Sequence, residues 1–436
     1  MQEIRLPDAF VERVKGQLGE ELPSFLSALE IPPVRGLRMN PFRAGWEQPF
    51  RDAAGAVPWA RGGWEIPPES GAGTTVFHEA GAFYLQDPSA MLPAAVMAAR
   101  PGERILDLCA APGGKSTQMG ADLAGEGTLI CNEPVPSRAA VLSRNLERMG
   151  IPNAAVTCAY PEKLAESWEE TFDGVMADVP CSGEGMFGRH PETRMEWSPE
   201  KAAGCAERQR MILEEAARLV RPGGRLVYAT CTWNPAENEN QVEGFLRRHP
   251  EFALEPFSLP GAEGRDGMYT CWSHRVRGGG QFAALLRKKG DGEKPRWEGA
   301  RDFSLPREIR TAWRAGGLRT AEPNALFGQT LAWIPEIPEL KGIRVLRLGL
   351  HLGTVRGKIC LPDHAAALGK DRPDMPETGL DDEAARRYMA GESLAGDARG
   401  WTLMTWQGLV LGWGKGSDGT IRNHYPKGLR NARLTL

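Results

Sequence analysis

Two cysteines stand out by their settings. Asp178-Val179-Pro180-Cys181-Ser182-Gly183 follows one short apolar run, and Ala229-Thr230-Cys231-Thr232 closes another. The remaining cysteines are Cys109, Cys131, Cys158, Cys205, Cys271 and Cys360, and no two of the set form a C-x-x-C pair, so a zinc knuckle is not expected. The N-terminus, MQEIRLPDAFVERV, is charged and amphipathic rather than a signal peptide, so a disulfide framework is not expected either. A thiol with a role here would be catalytic. A thiolate adds to an electron-poor carbon, forms a covalent intermediate, and is later expelled with help from a neighbouring group. Either cysteine alone reads more readily as core packing. A pair just past two strand ends, with Asp178 beside it, asks for a chemical reason.

A second segment supplies a ligand. Ile105–Thr117, ILDLCAAPGGKST, reads as a buried strand, a tight turn of small residues, and a helix. Cys109, Ala110, Ala111, Pro112, Gly113, Gly114 and Lys115 would let backbone approach a cofactor closely at a helix N-terminus. The ending GKST resembles a phosphate-binding P-loop, but Cys109 stands where that motif needs glycine, and Pro112 has no N–H. A nucleotide hydrolase fails on the same two residues. The next strand ends at Asn132-Glu133, and an acid at that tip commonly takes a ribose diol. Turn plus acid fits a dinucleotide or S-adenosylmethionine. The cysteine pair favours the latter, because a nicotinamide enzyme has no evident use for it. Carbon 5 of cytosine is a poor nucleophile. A thiolate added at carbon 6 makes it enamine-like and able to attack a sulfonium methyl, once the base is unstacked into the site.

These motifs resemble the RNA cytosine-5 methyltransferases of the Sun/Fmu type, and within them the RsmF-like ribosomal enzymes. The resemblance rests on Cys109–Thr117, the two cysteine motifs, Gln86-Asp87-Pro88-Ser89-Ala90, Arg38-Met39-Asn40, and, in the tail, Asn423-His424-Tyr425-Pro426-Lys427-Gly428-Leu429-Arg430. It implies that Cys231 attacks carbon 6 and that Cys181 assists release of the methylated base. It implies that Asp178 bonds the cytosine edge near N3 and lies close to the cofactor, with Lys115 at the bottom of the pocket. It implies that residues 109–115 line S-adenosylmethionine, that Glu133 takes the ribose, and that Arg138 contacts the cofactor (or is simply a solvated helix residue). One departure is Cys158-Ala159-Tyr160-Pro161, where such enzymes carry an Asp or Asn near the adenine; backbone groups or stacking by Tyr160 would substitute.

The elements that must position these residues follow from pattern. RILDL (104–108), TLICN (128–132), AAVTC (154–158), GVMAD (174–178) and RLVYATC (225–231) read as buried strands. Helical patterns at 114–124, 136–149, 200–220 and 235–248 alternate with them, which predicts an α/β, Rossmann-like, mostly parallel sheet with helices on both faces. The expected divisions are 1–75, an N-terminal α+β RNA-binding unit opening with a helix near Pro7–Leu29; 76–290, the methyltransferase domain; a polar linker over Gly290–Arg301; and 302–436, a small, largely β, RNA-binding module.

The 436 residues are 41% hydrophobic and 25% charged, an ordinary soluble composition, and no apolar run reaches the roughly 18 residues of a membrane span. The expectation is a cytoplasmic monomer with no membrane or metal partner. A net charge of −3 argues weakly against nucleic acid, but five basic residues against one acid lie between Gly408 and Leu436. Arg35, Arg38 and Arg43 in front, and Lys415, Arg422, Lys427 and Arg430 behind, with Trp413 and Tyr425 interleaved, suit phosphate contact and base stacking. The preferred substrate is 16S ribosomal RNA of the small subunit. Alternatives are a transfer RNA cytosine-5 methyltransferase, a DNA cytosine methyltransferase using Cys181 as nucleophile, and a noncatalytic ribosome-assembly factor.

Overall fold

The apolar runs fold as parallel strands: β1 (Arg104–Asp107), β2 (Thr128–Asn132), β3 (Ala154–Cys158), β4 (Phe172–Asp178) and β5 (Val220–Thr230). Both faces of the sheet are covered, which is why these strands are nearly continuous in apolar residues rather than alternating. This computed structural model describes residues 4–31, 34–43, 55–292, 297, 303–357 and 359–435; most of the expected linker lies outside them. Three antiparallel strands extend the sheet: β6 (Met268–Cys271), β7 (Gln281–Lys288) and β8 (Arg344–Leu348). The order is β6-β7-β5-β4-β1-β2-β3-β8, with Phe252–Leu254 also pairing with β7. β8 comes from beyond the expected linker, so the central sheet borrows its last strand from the C-terminal region.

One face packs under Gly114–Asp122 and Pro136–Arg148, through Met119, Leu142 and Leu146. The other packs under Pro161–Ser167, Pro199–Leu219 and Glu239–Arg248, through Leu164, Leu213, Val242 and Phe245. Proline at the first turn presets the entry of three of these helices, and the Ser198 hydroxyl caps the longest by accepting from Lys201 N–H. This is the expected α/β class.

The N-terminal helix divides in two, Asp8–Leu18 and Leu22–Glu30, at Gly19, whose φ of +53° a side chain would resist. Phe10, Phe25 and Leu29 pack against Phe187, Trp197 and Trp233. The antiparallel strands that follow, Arg35–Met39 between Gly63–Ile66 and Phe83–Leu85, share a core with Tyr388, Trp406 and Tyr425 far along the chain. The C-terminal region is β-rich: Ala325–Phe327, Thr330–Trp333, Leu350–Arg356 and Ile359–Pro362 form one small sheet, and a five-stranded sheet is centred on Gly400–Trp406 and Leu409–Ser417. Among the described residues, no helix is long and apolar enough to cross a membrane.

Candidate active site

β4 and β5 pair in parallel with Asp178 opposite Ala229, so the loops leaving their carboxyl ends start side by side. The Sγ atoms of Cys181 and Cys231 are 3.1 Å apart, and the Cys231 N–H donates to Cys181 Sγ at 3.3 Å. Both residues are half-buried. Two anions at that distance repel, so one thiol must keep its proton. The hydrogen bond to Cys231 and then burial hold the Cys181 thiol well above its ordinary range. Cys181 is therefore the thiol of the pair that keeps its proton.

Lys115 Nζ lies 2.8 Å from Asp178 Oδ2. Burial works against the ammonium, but the charge and hydrogen bond of Asp178, with Asp107 nearby, together hold Lys115 above its usual range. Lys115 is in the first turn of the helix that the 109–114 loop opens. Gly113, at φ +112°, makes that turn, and a Cβ on Gly114 would stand 3.2 Å from the Gln86 side chain. At the floor, Asp107 accepts from the Ser116 hydroxyl at 2.6 Å, and its other oxygen has no partner among the described residues. Burial, opposed by Ser116 and helped by Asp178, pushes the Asp107 carboxyl up to about 7.

Glu133 is buried at the tip of β2, where it accepts from Val135 N–H at 2.9 Å and pairs with Arg138 at 3.1 Å. Arg138 also donates to the Ala111 carbonyl at 3.2 Å, so it ties the cofactor loop to the acid. Asn132 donates to the carbonyls of Leu108 and Ala159 and accepts from the Thr157 hydroxyl and Ala159 N–H. It fixes the β3 loop from the neighbouring strand, and Tyr160 on that loop is 73% exposed. The donor set fits an adenosyl sulfonium: a carboxylate for the diol, open loop backbone, and Asp107 and Asp178 near the positive centre.

Two buried carboxylates that sequence reading passed over brace the cysteine loops. Glu184 accepts from Trp233 N–H at 3.2 Å, and Glu237 accepts from Ser182 N–H at 2.9 Å. Their only signal was an acid shortly after each cysteine motif.

The residues expected to hold RNA divide. Arg38 is buried, bonded to Thr117 Oγ1 at 2.7 Å and stacked near Tyr84, so it braces the cofactor helix from inside. The Arg43 guanidinium is turned inward onto the carbonyls of Leu368 and Ala80. Trp413 and Tyr425 are core residues, not stacking platforms, because the tail sheet needs its own apolar interior. Arg35, Lys415, Arg422, Lys427 and Arg430 are exposed. The aromatics that do reach the tail surface are Trp401, under Lys415 at 5.1 Å, and His424, whose ring centre is 4.5 Å from that indole.

Comparison with known proteins agrees over nearly the whole chain. The family described as 16S rRNA methyltransferase RsmB/F matches residues 94–287. RsmF-specific families match the flanks: the N-terminal domain over 6–88, the first C-terminal domain over 313–369 and the PUA domain over 376–431. Ribosomal RNA small subunit methyltransferase F of Aliivibrio fischeri is 30% identical over 98% of both chains, and that of Citrobacter koseri 31% identical over 99% of this chain and 98% of its own. Two solved structures share the fold. A methyltransferase homolog protein from Pyrococcus horikoshii has a TM-score of 0.55 at 24% identity over 65% of this chain and 96% of its own. NSun6 from Pyrococcus horikoshii, solved with SFG, has a TM-score of 0.57 at 21% identity over 65% of this chain and 99% of its own. The chain belongs to the 16S rRNA methyltransferase RsmB/F family, in its RsmF branch, and is an S-adenosylmethionine-dependent RNA methyltransferase.

Proposed function

We propose that this enzyme methylates carbon 5 of cytosine in 16S ribosomal RNA of the small subunit through a covalent Cys231–cytosine adduct. The observation that carries the reading is the pair of thiols 3.1 Å apart, with Cys181 held protonated beside Cys231. S-adenosylmethionine, bound by the 109–115 loop with Glu133 on its ribose and Arg138 across the loop, supplies the methyl group. Cys231 adds as a thiolate to carbon 6. Asp178, paired to Lys115, bonds the base edge near N3, and the Lys115 ammonium beside it offsets the negative charge that the addition pushes into the ring. Once Cys231 is bonded to carbon 6 it no longer holds the Cys181 proton, so after methyl transfer Cys181 can release that proton to solvent, take the carbon-5 proton and let Cys231 depart as a thiolate. Backbone groups of the β3 loop, or Tyr160, exposed at the rim, would hold the adenine in place of the missing amide or acid.

The small-subunit substrate is supported by the names of full-length relatives. This chemistry asks for no second chain and no metal, because carbon 5, made nucleophilic by the adduct at carbon 6, attacks the sulfonium methyl directly. Work on ribosomal RNA would put the enzyme in the cytoplasm. The flanking units, at about 1–75 and 302–436, position RNA for the central domain.

The test is a denaturing gel of enzyme, S-adenosylmethionine and small-subunit RNA with wild type, Cys181→Ala and Cys231→Ala. Cys181→Ala is expected to accumulate a covalent protein–RNA band that Cys231→Ala cannot form. A band that depends on Cys181 instead would exchange the two roles. No band and no 5-methylcytosine on any RNA would remove the reading.

A further inference from the structure

Methyl transfer has no direct use for Glu184, yet it is fully buried. One of its oxygens accepts from Arg13 Nη2 at 2.6 Å and from the Trp197 indole at 3.0 Å; the other accepts from the Trp233 backbone N–H at 3.2 Å. The next residue, Gly185, donates its N–H to the carbonyl of Cys231 at 2.9 Å. Arg13 donates as well to the Trp233 carbonyl at 3.1 Å, and Gln17, one turn along, donates to the same oxygen at 3.1 Å. The segment Cys231–Trp233 is thus gripped at one N–H and two carbonyls.

The grip is reciprocal. Glu184, on the Cys181 loop, holds a backbone N–H just past Cys231. Glu237, on the Cys231 loop, holds the N–H of Ser182, just past Cys181, at 2.9 Å, and is fixed in turn by Gln209 at 2.9 Å. Each loop therefore carries a buried acid that clasps the other, and the two sulfurs sit between the clasps. Only the Glu184 side reaches out of the central domain. Arg13 belongs to Asp8–Leu18, which buries Phe10 and Val14 against the aromatic cluster around Phe187 and Trp233. A buried ion pair commonly stabilises no better than apolar side chains of the same size. What this pair adds is geometry, since its hydrogen bonds end on the backbone beside a cysteine.

We infer that Arg13 and Glu184 are positioning residues for methyl transfer: the N-terminal helix, through this pair, holds the Cys231 segment at its working distance from Cys181. The inference rests on the reading of Cys231 as nucleophile. The N-terminal unit is then part of the catalytic apparatus and not only a surface for RNA.

The experiment measures methylation of small-subunit RNA under single-turnover conditions by the full chain, with melting temperature and affinities for cofactor and RNA recorded beside it. The variants are Arg13→Ala, Arg13→Lys, Gln17→Ala and Val14→Ala, the last being a buried residue of the same helix with no bond to either loop. A small misplacement of a nucleophile lowers rate about a hundredfold. Arg13→Ala is therefore expected to slow the saturated rate by about ten- to a hundredfold, with both affinities within about twofold of wild type. Arg13→Lys should recover most of that loss, and Gln17→Ala, which removes one exposed donor and folds whatever Arg13→Ala does, should slow the rate a few-fold. If Val14→Ala slows the reaction as much at an equal loss of melting temperature, or if Arg13→Ala and Gln17→Ala change only RNA affinity, the inference fails. Cys231→Ala in the same series separates the two readings: if it still forms adduct and product, the nucleophile assignment has failed, whatever Arg13 does.

Discussion

Burial decides the protonation of Asp107 beneath the cofactor loop. An aspartate in an unfolded chain titrates near about 4, and here burial raises the carboxyl to about 7. Between those values the folded chain holds a proton that the unfolded chain has lost. The contribution of this residue to stability is thus complete below about 4, declines as pH rises, and is gone above about 7. Asp107→Asn keeps an acceptor for Ser116 without the charge. Its melting temperature relative to wild type, both cofactor-free, should improve from pH 5 to about pH 7 and then level off; parallel pH curves for the two proteins would refute this. At the same scale, the residue types of the site were legible because chemistry constrains them. A strand, a small-residue turn and Lys115 announce a ligand, and two cysteines after strands announce a nucleophile. Glu184 and Glu237 were not legible, because an acid one or five residues past a motif looks solvated until the fold closes over it. Arg38 misled for the same reason: its guanidinium is turned into the protein by Thr117 and Tyr84, which lie far from it in sequence.

Among the elements, the five parallel strands and four long helices were readable from apolar runs and helical periodicity, each near its observed span. β8 was not. Its sequence, RVLRL, is short and carries two arginines in five residues, and nothing local says that it closes a sheet whose neighbour is Ala154–Cys158. The charge has an internal role. Arg347 is 2% exposed and bonds Glu147, on Pro136–Arg148, at 2.9 Å. Arg347→Met leaves Glu147 without its partner in a mostly buried site. Breaking a buried pair costs about 3–5 kcal/mol; since the Glu147 side chain keeps 22% exposure, about 3 kcal/mol is expected, read from chemical denaturation. A loss below about 1 kcal/mol would mean that β8 is held by its backbone ladder alone. The double variant with Glu147→Gln should recover part of the loss.

For the molecule as a whole, the proposed function gives RNA binding to the exposed cations at the tail surface. Lys427 and Arg430 are exposed and far in sequence from the cysteine loops. Reversing both to glutamate should weaken small-subunit RNA binding, flatten its dependence on salt concentration, and leave S-adenosylmethionine affinity unchanged, measured by calorimetry. Equal loss of both affinities would show a folding defect instead. The overall charge of −3 does not exclude such a basic surface, because it averages over all faces of the molecule. The borrowed strand also has a consequence for how the protein is made. A ribosome extends a chain at about 5–20 residues per second, so Leu348 emerges roughly ten to forty seconds after Cys158. During that interval the nascent catalytic sheet presents an unpaired edge at β3, a template on which a second nascent chain on the same message could pair. Slow translation of the region ahead of β8 should therefore lower the soluble yield more than the same slowing placed after it.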